Sequence, residues 1–100
     1  MVLAIDIGNT NIVIGCIQNK ECLFVERLST VHQKTEIEYA IDIKTVLDIY
    51  HIDVEQIEGG IISSVVPQVT NAAKLALEKI LKKNVMVVGA GVKTGLNIRM

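Results

Sequence analysis

The chain has 100 residues, 50% of them apolar, with 15 Ile, 13 Val, one Pro and no Trp, a β-branched excess that argues for one domain built on a buried sheet rather than a helical bundle. Ten basic against eleven acidic residues leave a formal charge of −1, so no electrostatic footprint points to nucleic acid or to an anionic membrane surface. The composition excludes a disordered chain, and no apolar run approaches the roughly 18 to 20 residues that a membrane-spanning helix needs.

Val2 to Ile7 is an apolar run broken by one carboxylate, as suits a central strand buried on both faces. Gly8-Asn9-Thr10 supplies turn chemistry, Asn11 to Ile17 is a second β-rich run, Gln18 to Glu21 is a polar turn and Cys22 to Leu28 reads as a third strand. From Thr35 the period becomes helical, with Tyr39, Ala40, Ile43, Val46, Leu47 and Tyr50 on one face of about four turns. Ile37 and Ile41 lie off that stripe and leave room for a second apolar contact. Gly60 to Val65 is the next strand, and Pro67 suits the first turn of a helix. Val69, Ala73, Ala76 and Ile80, flanked by Ala72 and Leu77, mark that helix's buried side, and Lys79, Lys82 and Lys83 form a solvated C-terminal end. Val85 to Val88 is the fifth strand. The fold class is α/β, a mixed five-stranded sheet in the order βββαβαβ with helices packed on it, the two crossovers adding strands in parallel. Gly89 to Gly95 reads as a loop, and Leu96 to Met100 alternates like a strand or arm that stops in mid-pattern, which suggests a fragment.

Cys16 and Cys22 lack the spacing of a metal or redox site and are too few for a disulfide scaffold. In a cytoplasmic setting they serve as small hydrophobes, near each other across a hairpin. The most site-like segment is Asp6-Ile7-Gly8-Asn9-Thr10-Asn11. Gly8 and Asn9 tolerate unusual backbone, Thr10 adds a hydroxyl, and successive amides there can form a nest for an anion. Asp6 can hold Mg²⁺, directly or through water, against bound phosphates. The same residues also suit an ordinary hairpin turn, and both readings stand. Gly89-Ala90-Gly91-Val92-Lys93-Thr94-Gly95 satisfies neither a P-loop nor a dinucleotide fingerprint and reads as a connector. Ser63 and Ser64 lack a nucleophile elbow and read as turn and capping donors. His32 and His51 have no spaced partner and are taken as solvated.

Three stretches in register resemble the successive N-terminal signatures of the type III pantothenate kinases: Asp6-Ile7-Gly8-Asn9-Thr10 with Gly15, Ser63-Ser64-Val65-Val66-Pro67, and Thr94-Gly95-Leu96-Asn97-Ile98. That resemblance covers essentially the whole chain. It implies the acetate and sugar kinase, Hsc70 and actin superfamily, with residues 1–100 forming the N-terminal ribonuclease-H-like half of an ATP clamp whose second half lies beyond the chain. It further implies transfer of the γ-phosphoryl of ATP to pantothenate, the first step towards coenzyme A, with Mg²⁺, a monovalent cation (K⁺ or NH₄⁺) and a homodimer, and without nucleic acid or membrane as partner. Asp6 would then place the metal and, with Ile7, Gly8, Asn9, Thr10, Asn11, Ile12 and Val13, would form the ATP-phosphate site. The resemblance puts the general base, an Asp in a Gly-x-Asp-Arg-like motif, after Met100, and puts Met100 near a substrate-contacting position where members often carry Tyr. The 100 residues alone are therefore expected to lack activity. Two other readings are an accessory transcription factor, disfavoured by the balanced charge and the missing helix-turn-helix pattern, and a nucleotide-binding half-domain without chemistry.

Overall fold

A computed structural model describes residues 1–89. The rest of the second glycine-rich stretch, the Thr94–Ile98 segment, the terminal arm and Met100 lie outside the described residues. In chain order the elements are β1 (Val2–Ile7), β2 (Asn11–Gln18), β3 (Glu21–Ser29), α1 (Glu36–Ile49), a 3-10 turn (Val54–Gln56), β4 (Gly59–Ser64), α2 (Pro67–Leu81) and β5 (Val85–Val88). The sheet runs β3-β2-β1-β4-β5. Its first three strands pair antiparallel, and β4 and β5 add in parallel. This is the expected βββαβαβ order with one addition, the 3-10 turn, whose three residues are too few to show a period.

The crossovers β3-α1-β4 and β4-α2-β5 both step the same way across the sheet, so right-handed connection puts both helices on one face. Leu3, Ile5, Ile7, Ile12, Ile14, Cys16 and Ile62 meet the helices there in a single buried cluster. The alternate residues of β1 and β2 face the other way, where Ala4 and Val13 form a smaller cluster with Ile17. Gly60 lies on the helix side, and a Cβ added to it would fall 2.7 Å from Leu77 Cδ2. Glycine is what lets α2 approach β4 so closely.

Helix α1 begins with a reciprocal capping box: the Glu38 N–H donates to Thr35 Oγ1 (3.4 Å) and the Thr35 N–H donates to Glu38 Oε1 (2.9 Å). It ends in a Schellman pattern, with Ile52 N–H on Leu47 O, His51 N–H on Asp48 O, and His51 at φ 58° where glycine is usual. Its buried face is Tyr39, Ala40, Ile43, Val46 and Leu47. Tyr50, expected on that stripe, is instead exposed at the helix end. There its ring stacks on Phe24 of β3 at 4.4 Å and its hydroxyl donates to Glu26 Oε1, an arrangement that keeps the polar end of the ring wet.

Helix α2 starts at Pro67 and buries Val69, Ala73, Ala76, Leu77 and Leu81. Leu81 takes the innermost place at the last turn, leaving Ile80 half-buried. The three lysines are exposed, as expected of a solvated helix end, and each also has a local role. Lys79 pairs with Glu36 across the helices at 3.2 Å. Lys82 adopts φ 56° as the C-cap, and Lys83 Nζ donates to Ile57 O at 2.5 Å, satisfying a carbonyl beside the 3-10 turn.

The β2–β3 hairpin turns on Asn19 and Lys20, both at positive φ, as a two-residue type I′ turn requires. A bulge follows between Cys16 and Ile17, so Cys16 pairs with Phe24 and is buried while Cys22 is exposed. Cys16 thus serves as the small core hydrophobe expected, whereas Cys22, past the bulge on the neighbouring strand, stays at the surface.

Candidate functional site

The β1–β2 connection is only three residues long, and it is held from two sides. The Gly8 N–H donates to Asn11 O at 2.9 Å, closing the hairpin. From the end of β3, the Thr30 N–H donates to Thr10 O at 2.9 Å and Thr30 Oγ1 donates to Gly8 O at 2.8 Å. Neither Gly8 nor Asn9 adopts the left-handed region, which corrects the expected nest, since one of its amides is already spent on closing the turn. Glycine is needed at position 8 for closeness: a Cβ there would sit 3.2 Å from Asn11 O.

The segment after Thr30 is tied to α1. Tyr39, buried on α1, donates its hydroxyl to Val31 O at 2.6 Å and accepts from the Val31 N–H at 3.1 Å. Lys34 pairs with Asp42 and lies 5.6 Å above the Tyr39 ring. Hydrogen bonding to the Asp42 carboxylate pushes the Lys34 ammonium above the usual lysine range.

A cleft of about 410 Å³ opens at the carboxyl ends of β1 and β4, lined by Asp6, Ile7, Gly8, Thr10, Asn11, Val13, Ser63 and Val65. Ligand sites of open α/β sheets lie off the carboxyl ends of parallel strands. Pairing sets which side chains share it: Asp6 is opposite Val13 on β2 and Ser63 on β4, so all three project from the face away from the helices. Val65 prolongs the β1–β4 ladder by donating its N–H to Ile7 O. Ser63 is buried, while its neighbour Ser64 forms a turn, accepting from the Val66 N–H at 2.9 Å. The turn role expected of the serines belongs to Ser64. Neither caps α2, whose N-cap is Val66 without a side-chain bond, and Ser63 faces the cleft instead. A period-2 pattern could have set Ser63 apart from Ser64, had the β1–β4 pairing been known.

Of the sequence-predicted site residues, Asp6, Ile7, Gly8, Thr10, Asn11 and Val13 come together on the cleft wall. Asn9 is exposed at the loop tip, and Ile12 sends its side chain into the helix-side core. Met100 lies outside the described residues. The donor set suits a hard cation: the cleft wall offers the Asp6 carboxylate and the Thr10, Asn11 and Ser63 oxygens. Mg²⁺ commonly takes one or two protein carboxylates, keeps its waters and binds substrate phosphates. No group of three or more His, Cys, Asp or Glu gathers into a metal cage among the described residues. No helix among those residues is long and apolar enough to cross a membrane.

The sheet order β3-β2-β1-β4-β5 with both helices on one face defines a ribonuclease-H-like α/β fold. The ROK hexokinase of Thermus thermophilus superposes with a TM-score of 0.66 at 15% identity, over 88% of this chain and 34% of that one. RuvC of the same organism superposes at 0.56 with 20% identity, over 88% of this chain and 60% of that one. Sequence goes further than fold. A type III pantothenate kinase family model matches residues 2–100, and a type III pantothenate kinase of Halalkalibacterium halodurans is 40% identical over 99 residues. The chain belongs to the type III pantothenate kinase family. It spans about two fifths of the length of its curated relatives, 39% for the Halalkalibacterium protein.

Proposed function

We propose that residues 1–100 form the N-terminal half of an actin-like ATP clamp, that the cleft between β1, β2 and β4 receives the phosphates of ATP, and that the intact protein phosphorylates pantothenate. What supports this most is the convergence of Asp6, Thr10, Asn11 and Ser63 on one cleft at the carboxyl ends of parallel strands, in a chain whose family is named for that reaction.

Phosphoryl transfer asks a protein for positioning and charge neutralisation more than for covalent chemistry. On this reading Thr10 and Asn11 donate hydrogen bonds to phosphate oxygens from the second wall of the hairpin. Gly8 keeps the loop low enough for close approach, Asn9 offers its backbone at the tip, and Ile7, Ile12 and Val13 anchor the strands that carry it. Ser63 adds a hydroxyl from β4. Asp6 would hold Mg²⁺, which when bound supplies the positive charge that offsets the phosphates. The base toward the pantothenate hydroxyl is assigned to the family's length beyond these residues, together with the second half of the clamp, the monovalent-cation site and the substrate contact near Met100. A homodimer in the cytoplasm completes the proposal.

The test is ATP-dependent formation of phosphopantothenate by the intact protein. Asp6→Asn should lower the rate by about a hundred-fold or more, the scale on which losing one electrostatic partner of a transition state is felt. Undiminished activity in that variant would remove Asp6 from the site.

A further inference from the structure

We propose that Thr30 is a positioning residue for the phosphate loop, with Tyr39 anchoring it to the helix layer; this rests on the reading of the cleft as an ATP-phosphate site. Thr30 follows β3 and is 22 residues from Gly8 in sequence. It holds the loop at two carbonyls, through its side chain on Gly8 O and its backbone N–H on Thr10 O. In a planar trans peptide the C=O and the following N–H point in opposite directions. The bond to Gly8 O therefore sets the plane of the Gly8–Asn9 peptide and turns the Asn9 N–H away from Thr30. That amide is at the tip of the loop, where the direction of a donor decides whether it meets a phosphate oxygen.

The loop itself supplies little of this orientation. Its single closing bond, Gly8 N–H to Asn11 O, fixes the base of the turn and not the tip. Thr30 in turn is held in place, because both backbone groups of the next residue, Val31, bond the Tyr39 hydroxyl. Tyr39 is 1% exposed in the core of α1. A continuous path of packed and hydrogen-bonded groups thus runs from the helix layer through Val31 and Thr30 to the loop tip, passing over the edge of the sheet rather than through it.

The experiment is steady-state kinetics on the intact protein, with Mg·ATP and pantothenate varied separately, for wild type, Asp6→Asn, Thr10→Ala, Thr30→Val, Thr30→Ser and Thr45→Val. Thr30→Val keeps the shape and backbone N–H and removes the hydroxyl; Thr45→Val deletes a comparable side-chain bond, to Ile41 O on α1, remote from the cleft. Thr30→Val should raise KM for Mg·ATP roughly three- to ten-fold, the range expected for one lost hydrogen bond. It should leave KM for pantothenate unchanged, and Thr30→Ser should restore the wild-type value. Amide hydrogen exchange at Gly8 and Thr30, whose N–H groups bond Asn11 O and Thr10 O, should quicken in Thr30→Val and not in Thr45→Val. Equal losses in Thr30→Val and Thr45→Val would mean general loosening and would overturn the proposal. If Asp6→Asn and Thr10→Ala raise KM for Mg·ATP while Thr30→Val does not, the positioning role is wrong and the phosphate site stands. If none of the three alters it, the phosphate site itself is wrong.

Discussion

Two glycines in this chain are required by neighbours rather than by backbone angle. Gly8 leaves room for Asn11 O, and Gly60 leaves room for Leu77, whose Cδ2 would be 2.7 Å from an added Cβ. Leu77 is fully buried between β4 and the rest of the core, so its side chain has little freedom to withdraw. Gly60→Ala should therefore destabilise the fold by about 1 to 3 kcal/mol through overpacking. Denaturant unfolding of the intact protein checks this, and a stability equal to wild type would show that Leu77 repacks without cost. The glycine itself is visible in the sequence, but the reason for it is not. That reason is a contact between β4 and α2, which no local pattern reports. Ser63 and Thr30 share this property. Each is an ordinary strand-end residue until pairing places it, Ser63 opposite Asp6 and Thr30 against Gly8 and Thr10.

At the scale of elements, most of the architecture was legible because each element carries its own period and its own punctuation. The single carboxylate of β1, the Asn19-Lys20 turn, the helical stripe after Thr35 and Pro67 at the start of α2 all act locally. Element ends carry less local information. Tyr50 fits the α1 stripe by spacing but finds Phe24 on the edge strand instead. Lys83 looks like a free helix-end cation but reaches Ile57 O. The start of α1 carries a pH dependence that follows from its capping box. The Thr35 backbone N–H, then its hydroxyl, bond the Glu38 carboxylate and hold it below the usual glutamate range. A carboxylate depressed in the folded state contributes stability above its unfolded pKa, and that contribution is lost as pH falls through the folded one. Helix α1 should thus be less stable in acid, with the loss falling below about pH 4.3, the ordinary glutamate value. Glu38→Gln should be less stable at neutral pH and show a shallower acid limb. Thermal midpoints measured across that range test it, and identical slopes for the two proteins would dismiss the cap as the source.

Over the described residues as a whole, one face of the sheet packs the helices and the other lines the cleft. Both helices pack against Leu3, Ile5, Ile7, Ile14 and Ile62, while Asp6, Val13 and Ser63 look the opposite way at the carboxyl end of the strands. The period-2 alternation that buries one set of residues is what delivers the other set to the cleft. The same design explains why Asp6 can interrupt an otherwise apolar central strand: it stands at the end of β1, in the wall of a cleft, with the core on the far side. On the function proposed above, this cleft receives the phosphates of ATP. Isothermal titration of Mg·ATP into the intact protein, wild type against Thr10→Ala and Asp6→Ala, tests it most directly. Saturable binding should weaken at least about ten-fold, or some 1.4 kcal/mol, in each variant; unchanged affinity in both would leave the loop an ordinary turn and the cleft without its ligand.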